Sequence, residues 1–238
     1  MPGSLFLVPN LLGGVLPPEV LPARTIEVAR ALRHWVVESP KPARAFLKSL
    51  DPPWPIATID IQPLPEAADA GALAALLAPA RRGEDLGLLS DAGCPGVADP
   101  GATLVAAAHA AGIRVVPLVG PSSLLLALMA SGMNGQSFAF HGYLPVAAAE
   151  RASALRRLED ESRASRRTQL FIETPYRNEA MLKSIGATLR PATLVCVAVD
   201  LTLPTESIER RTAAAWRRED PARYAKRPAL FVLDAAVG

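Results

Sequence analysis

The sequence predicts an α/β protein of two domains, the first on a parallel sheet and the second on a mixed one. Three observations carry this. Through the first half, short apolar runs alternate with helical stretches, the pattern of βαβ units. In the second half, strand patterns more often follow one another across short links, which suit antiparallel neighbours. Between them, the polar stretch SDAGCPGVADPG at residues 90–101 leaves a buried strand pattern and enters a helical one. Open α/β sheets place ligands at loops of this kind.

SLFLVP (residues 4–9) reads as a buried first strand, and NLLGGVLPPEVLPA as a loop that ends at a helix over about 23–33. WVVE (35–38) is a second strand followed by a short helix in PARAFLKSL. IATIDIQ lies in a Pro-rich connection and reads as an edge strand. GALAALLAPARRG is one helix that stops at Gly83, with Arg81 and Arg82 in its last turn. DLGLL (85–89), the central loop, the helix ATLVAAAHAAG (102–112) and the strand IRVVPLVG (113–120) complete the first half. The chain is expected to divide near 117–121, into 1–118, which carries the central loop, and 119–238. GPSSLLLALMASG opens the second half, and SFAFHGYLP (137–145) alternates as a strand does. A helix covers 147–167, and TQLFIETPYR holds a strand and a turn into another helix. TLVCVAVD (193–200), ESIERRT (206–212) and PALFVLDA (228–235) are the remaining strands.

Composition narrows the chemistry. Hydrophobic residues make up 50% of the 238 and charged residues 20%, as in a globular protein. No run approaches the roughly 18 apolar residues that cross a bilayer. The start MPGSLFLVPN has no basic region, so no signal peptide is expected. Cys94 and Cys196 are the only cysteines, which points to a reducing, cytoplasmic setting and away from disulfides or zinc. His34, His109 and His141 are too scattered for a metal site. No G-x-G-x-x-G follows the first strand, and there is no Walker lysine loop, H-E-x-x-H or G-x-S-x-G. The net charge of +2 does not by itself predict nucleic-acid binding.

In the central loop, Gly93 and Gly96 allow close backbone approach to a ligand. Asp91, at the strand end, is expected to face the cleft. Asp99, in Asp-Pro-Gly before a helix, reads as an N-cap. Glu38 reads as a solvated carboxylate at its strand end. The arginine-rich helix at 151–167 reads as a solvated face with internal acid–base pairs. A second basic cluster spans 210–227, and together they admit an RNA partner.

SDAGCPGVADPG, LVGPSSLLLALMASG, FAFHGYLP and FIETPYR resemble, in the same order, the tetrapyrrole methylase superfamily of S-adenosylmethionine (SAM) methyltransferases. Within it they are most similar to the branch of ribosomal RNA small-subunit methyltransferase I, which acts on a ribose 2′-hydroxyl. The resemblance implies a homodimer of two α/β domains with SAM in the cleft between them. Carried over position by position, it implies cofactor contacts at Pro9, Asp91, Gly93, Val97, Ser122, Ser123, Glu173, Leu201, Thr202, Pro228 and Ala229. It implies no metal and assigns no catalytic residue, with Glu38 and Glu173 the nearest candidate bases by position. The chain departs from the family's patterns in places. PNLLGG stands for T-P-I-G-N, ESPK for A-E-D-T-R, and VDLTL for R-E-L-T-K, while E-A-P-H-R is kept as ETPYR. These departures fall on the acceptor side and leave two other readings open: methylation of a small molecule such as a tetrapyrrole, or SAM binding without catalysis.

Overall fold

The computed structural model describes residues 2–235, which form two compact units on either side of the Ser122–Ser123 bond. The first contains strands β1 (Ser4–Val8), β2 (His34–Val37), β3 (Asp60–Pro63), β4 (Leu86–Leu89) and β5 (Arg114–Pro117). Its helices are α1 (Pro17–Val20), α2 (Ala23–Ala31), α3 (Pro40–Ser49), α4 (Ala70–Leu76), α5 (Ala78–Arg81) and α6 (Ala102–Ala110). The second contains β6 (Phe138–Tyr143), β7 (Thr168–Glu173), β8 (Leu194–Val199), β9 (Ser207–Thr212) and β10 (Ala229–Asp234). Its helices are α7 (Ser123–Ser131), α8 (Ala148–Ser165), α9 (Asn178–Thr188) and α10 (Ala213–Trp216).

The first sheet is parallel throughout, in the order β3-β2-β4-β1-β5. The strand in IATIDIQ is indeed at an edge. Both faces are covered, so the inner strands are apolar on both sides. Val8, Trp35, Val37 and Leu89 pack with Val28 and Ala29 of α2 and Phe46 and Leu47 of α3. On the other face, Leu5, Val36, Leu86 and Leu88 pack with Leu76, Ala80, Leu104 and Ala108 of α4, α5 and α6. Gly87 is the exception in β4, and the Trp35 ring fills its place. A Cβ there would lie 2.5 Å from Trp35 Cε3.

The single helix expected over GALAALLAPARRG is broken at Leu77. Pro79 has no N–H to continue the ladder, so a new turn starts at Ala78. The Asp99 cap is also not formed. The helix starts at Ala102 and is preceded by Gly101 at φ +132°, with no side-chain cap. Gly101 sits over Leu88, where a Cβ would come within 2.9 Å of Leu88 Cδ2. This close approach sets the helix start and leaves Asp99 in the loop.

The second sheet runs β6-β7-β10-β8-β9 and is mixed: β6 and β7 are parallel, and the other pairs are antiparallel. One face packs Phe171, Val195, Val197 and Phe231 against Leu155, Leu158, Met181, Ile185 and Trp216. The Phe171 and Phe231 rings stack with centroids 5.3 Å apart. Helix α7 packs against β8, β9 and β10, burying Ala127, Leu128 and Ser131.

Candidate active site

In the first unit the strand order places β4 between β2 and β1. The chain leaves β1 toward α1 and α2 on one face, and leaves β4 toward α6 on the other. The carboxyl end of β4 is therefore a topological switch point, where open sheets form a crevice. The central loop occupies it.

Asn10 ties that loop to the one after β1. It is 5% exposed, and its Nδ2 donates to the carbonyls of Ser90 and Asp91, each at 3.0 Å. Its backbone N–H donates to the Gly93 carbonyl at 2.8 Å. Gly93 is in the left-handed region, at φ +67°, so the loop turns there at little cost. Pro9 packs against Gly120, where a Cβ would lie 2.4 Å from the proline Cβ. The Cys94 thiol donates to the Pro121 carbonyl at 3.5 Å. Pro9, Asp91 and Gly93 are thus gathered around the stem that leads to Ser122. Val97 lies on the exposed part of the loop, 47% accessible.

Glu38 is not simply solvated. Its Oε2 accepts the Asp91 backbone N–H at 2.9 Å, which fixes the start of the loop to the end of β2. Burial first, and then the charges of Glu38 and Asp91 against a lowering hydrogen bond from Ser90, push the Asp99 carboxyl up to about 6. Burial and Asp99 also push the Cys94 thiol up, so it is no ready nucleophile. Three carboxylates therefore meet at this strand end. Beside them is a cavity of 380 Å³, lined by Asn10 to Val15, by Pro42, Ala45, Phe46 and Ser49 of α3, and by Asp91 and Ala92. A cavity of 410 Å³ lies instead at the amino ends of the strands, by His34, Glu84 and Asp85, away from these loops.

The Asp99 carboxyl makes a testable prediction. Its folded value of about 6 exceeds its ordinary 3.8. The fold thus favours the protonated form, and stability is lost as pH rises from 3.8 toward 6. Asp99→Asn removes that loss. Its melting midpoint should match wild type near the ordinary carboxylate range and exceed it increasingly up to about pH 6, with a constant gap above. A gap independent of pH would show that Asp99 titrates normally.

In the second unit, Ala229 pairs with Glu173 of β7 on one side and Val199 of β8 on the other. Glu173, Pro228, Ala229, Leu201 and Thr202 are thereby brought to one end of the sheet. The turn after β8 has two non-glycine residues in the left-handed region, Asp200 (φ +51°) and Thr202 (φ +72°). Strain of this kind needs outside support. Asp200 Oδ2 accepts from the Thr205 hydroxyl and from Arg227 Nε, each at 2.8 Å, and the Thr202 N–H donates to Glu206. The Asp200 N–H donates to the Pro228 carbonyl at 3.1 Å. The buried Thr202 Oγ1 has no hydrogen-bond partner among the described residues.

The Glu173 side chain is fully buried and both of its oxygens are engaged. One accepts the Thr174 N–H at 2.7 Å, and the other accepts the Arg177 guanidinium at 2.5 Å. That arrangement holds the end of β7 and ties the carboxylate to its own turn. Ser123 begins α7. Sequence reasoning missed Asn178, which is fully buried. Its Nδ2 donates to the carbonyls of Tyr224 (3.0 Å) and Arg227 (2.6 Å) and holds the segment that enters Pro228. It also missed Asn10. Both partners are distant in sequence, and no local pattern marks them.

Comparison with known proteins gives a consistent result. The family model described as Tetrapyrrole (Corrin/Porphyrin) Methylases matches residues 23–216. The Ribosomal RNA small subunit methyltransferase I of Escherichia coli O157:H7 is 38% identical over 160 residues, covering 66% of this chain and 54% of that protein. The protein of the same name from Micromonospora olivasterospora is 37% identical over 194 residues, covering 81% and 58%. The chain thus spans about half the length of the curated relatives it matches. The crystal structure of the methyltransferase CobJ has the same fold, at TM-score 0.63 and 17% identity over 98% of this chain and 94% of that one.

Proposed function

The chain belongs to the tetrapyrrole (corrin/porphyrin) methylase family, and from that premise we propose that it is a SAM-dependent methyltransferase acting on a ribose 2′-hydroxyl of small-subunit ribosomal RNA. One observation carries the cofactor half: Glu38, Asp91 and Asp99 converge at the switch-point loop. A strand end that gathers three carboxylates suits a ligand with a sulfonium and an ammonium. Pro9, Asp91, Gly93, Val97 and Ser122 of the first unit would hold it, together with Ser123, Glu173, Leu201, Thr202, Pro228 and Ala229 of the second. When bound, SAM supplies a methyl group already activated on sulfur. The protein's own part is then to align the acceptor oxygen and exclude water. The acceptor is taken from the relatives' printed name and from the resemblance to the ribose-methylating branch.

We place the protein in the cytoplasm as a homodimer. Leu125 and Met129, one helical turn apart on α7, are 52% and 78% exposed and form an apolar face that a second copy would cover. Sedimentation equilibrium decides this, and a monomer mass at micromolar concentration would remove it. Among the described residues no helix is long and apolar enough to cross a membrane, and no cluster of His, Cys, Asp and Glu could hold a metal ion.

Calorimetric titration with SAM and S-adenosylhomocysteine tests the cofactor. Wild type should bind both, and Asp91→Ala should bind SAM about 10-fold or more weakly with an unchanged melting midpoint. Failure of the folded protein to bind either would overturn the reading. Incubation of small ribosomal subunits with SAM, followed by nucleoside digestion, should yield a 2′-O-methylated nucleoside.

A further inference from the structure

Helix α3 carries an unneutralised cationic face. Lys41, Arg44 and Lys48 are all exposed, the helix has no acidic residue, and none of the three is ion-paired among the described residues. At 100° per residue their side chains fall within about 60° of arc. The neighbouring face of the same helix, Pro42, Ala45, Phe46 and Ser49, lines the 380 Å³ cavity beside Asp91 and Ala92. The cations therefore run along the rim of the cavity at the switch point.

The basic stretches noticed in the sequence are different. On α8, Glu150, Glu159, Asp160 and Glu161 are interspersed with the arginines, and Arg157 and Arg167 both turn to Glu161. In the 210–227 stretch, Arg211 and Arg223 pair with Glu209 and Glu219, and Arg227 pairs with Asp200. Arg157, Arg167, Arg211, Arg223 and Arg227 thus satisfy acids of their own unit, and the remaining cations of these stretches stand among those acids. The α3 cations have no such role, and the wall of the cavity they border carries one carboxylate, Asp91. Three unpaired cations on the rim leave a net positive border to the cavity, which suits an anionic chain.

We propose that Lys41, Arg44 and Lys48 form the surface that grips the sugar-phosphate backbone of the RNA acceptor beside the cavity. This deepens the function proposed above and rests on its RNA acceptor. Three phosphate contacts along single-stranded RNA contribute about 2 to the slope of log affinity against log salt. The experiment measures binding of a fluorescent single-stranded RNA 20-mer across a salt series, with SAM affinity measured calorimetrically on the same samples. The triple variant Lys41→Gln, Arg44→Gln, Lys48→Gln should bind RNA about 10- to 100-fold more weakly, with a slope lower by about 2 and SAM affinity unchanged. Each single variant should lower the slope by about 0.7. Arg156→Gln with Arg163→Gln on α8 should change it little. The proposal falls if wild type binds the RNA and the α3 triple variant keeps its slope, or if the α8 variant loses as much. It also falls if the triple variant loses binding only to vesicles of phosphatidylcholine and phosphatidylserine. Wild type that binds SAM but no RNA would sink the RNA acceptor itself, a different result from either.

Discussion

Gly87→Val should destabilise the first unit by about 3 kcal/mol or more, lowering the melting midpoint by roughly 6–12 °C. Gly87 is in register with Trp35 on β2 and Phe6 on β1. The Trp35 ring lies over it, with Cε3, Cζ3 and Cδ2 all within 3 Å of where a Cβ would stand. The ring has little room to retreat. It is 1% exposed, and its Nε1 donates to the Leu32 carbonyl at 3.3 Å. A double-mutant cycle makes the explanation specific. Gly87→Ala and Trp35→Leu should each be costly alone, and the double variant should cost clearly less than their sum, because the leucine vacates the space the new methyl needs. Additive costs would mean that the glycine is needed for something other than the ring.

Arg177→Met should cost about 3–5 kcal/mol, because it leaves the fully buried Glu173 carboxylate without its cation. Arg177 also donates to the Leu144 carbonyl at 3.2 Å, so the variant loosens two segments at once. The pH dependence separates the causes. An orphaned buried carboxylate takes up a proton more readily in the fold than when unfolded, so the variant should regain stability as pH falls. Adding Glu173→Gln should restore much of the loss at neutral pH. If the double variant is no more stable than Arg177→Met, the loss comes from the Leu144 contact and not from the buried charge.

Most of the architecture could be read from the sequence for a physical reason. Strands covered on both faces show up as unbroken apolar runs, and LFLV, WVV and LGLL are such runs. The mixed character of the second sheet followed from short links between strands. What could not be read depended on groups far apart in the chain. Nothing near Asn10 announces that its amide spans two loops, and nothing near Glu38 announces that it receives the Asp91 N–H. Asp99 was misread because Asp-Pro-Gly before a helix is a sound local capping signal, and the close approach of Gly101 to Leu88 overrides it. The basic stretches were partly legible: α8 reads as a face with internal acid–base pairs, and Arg157 pairs with Glu161 one turn on. Glu219 likewise stands four residues before Arg223, while the pairing of Arg227 with Asp200 and of Arg223 with Glu209 shows only in three dimensions. Helix α3 carries fewer cations but keeps all of them free. The eleven cofactor positions are a separate matter. The structure brings Pro9, Asp91 and Gly93 together in the first unit and Glu173, Leu201, Thr202, Pro228 and Ala229 in the second, and contact with SAM awaits the titration.

The position of β1 has a consequence for how the protein is made. Leu5 pairs with Leu86 on one side and Val115 on the other, so the earliest strand is completed only by much later ones. At about 5–20 residues per second the ribosome needs roughly 6–20 s to supply the second neighbour. Until β4 is made the nascent apolar segment SLFLV has no strand to pair with, and until β5 is made one edge of it stays open, so it is a natural hold for a chaperone. Release of the chain from ribosomes stalled before β5 should therefore yield a protease-sensitive fragment, while stalling well beyond it should yield a resistant first unit.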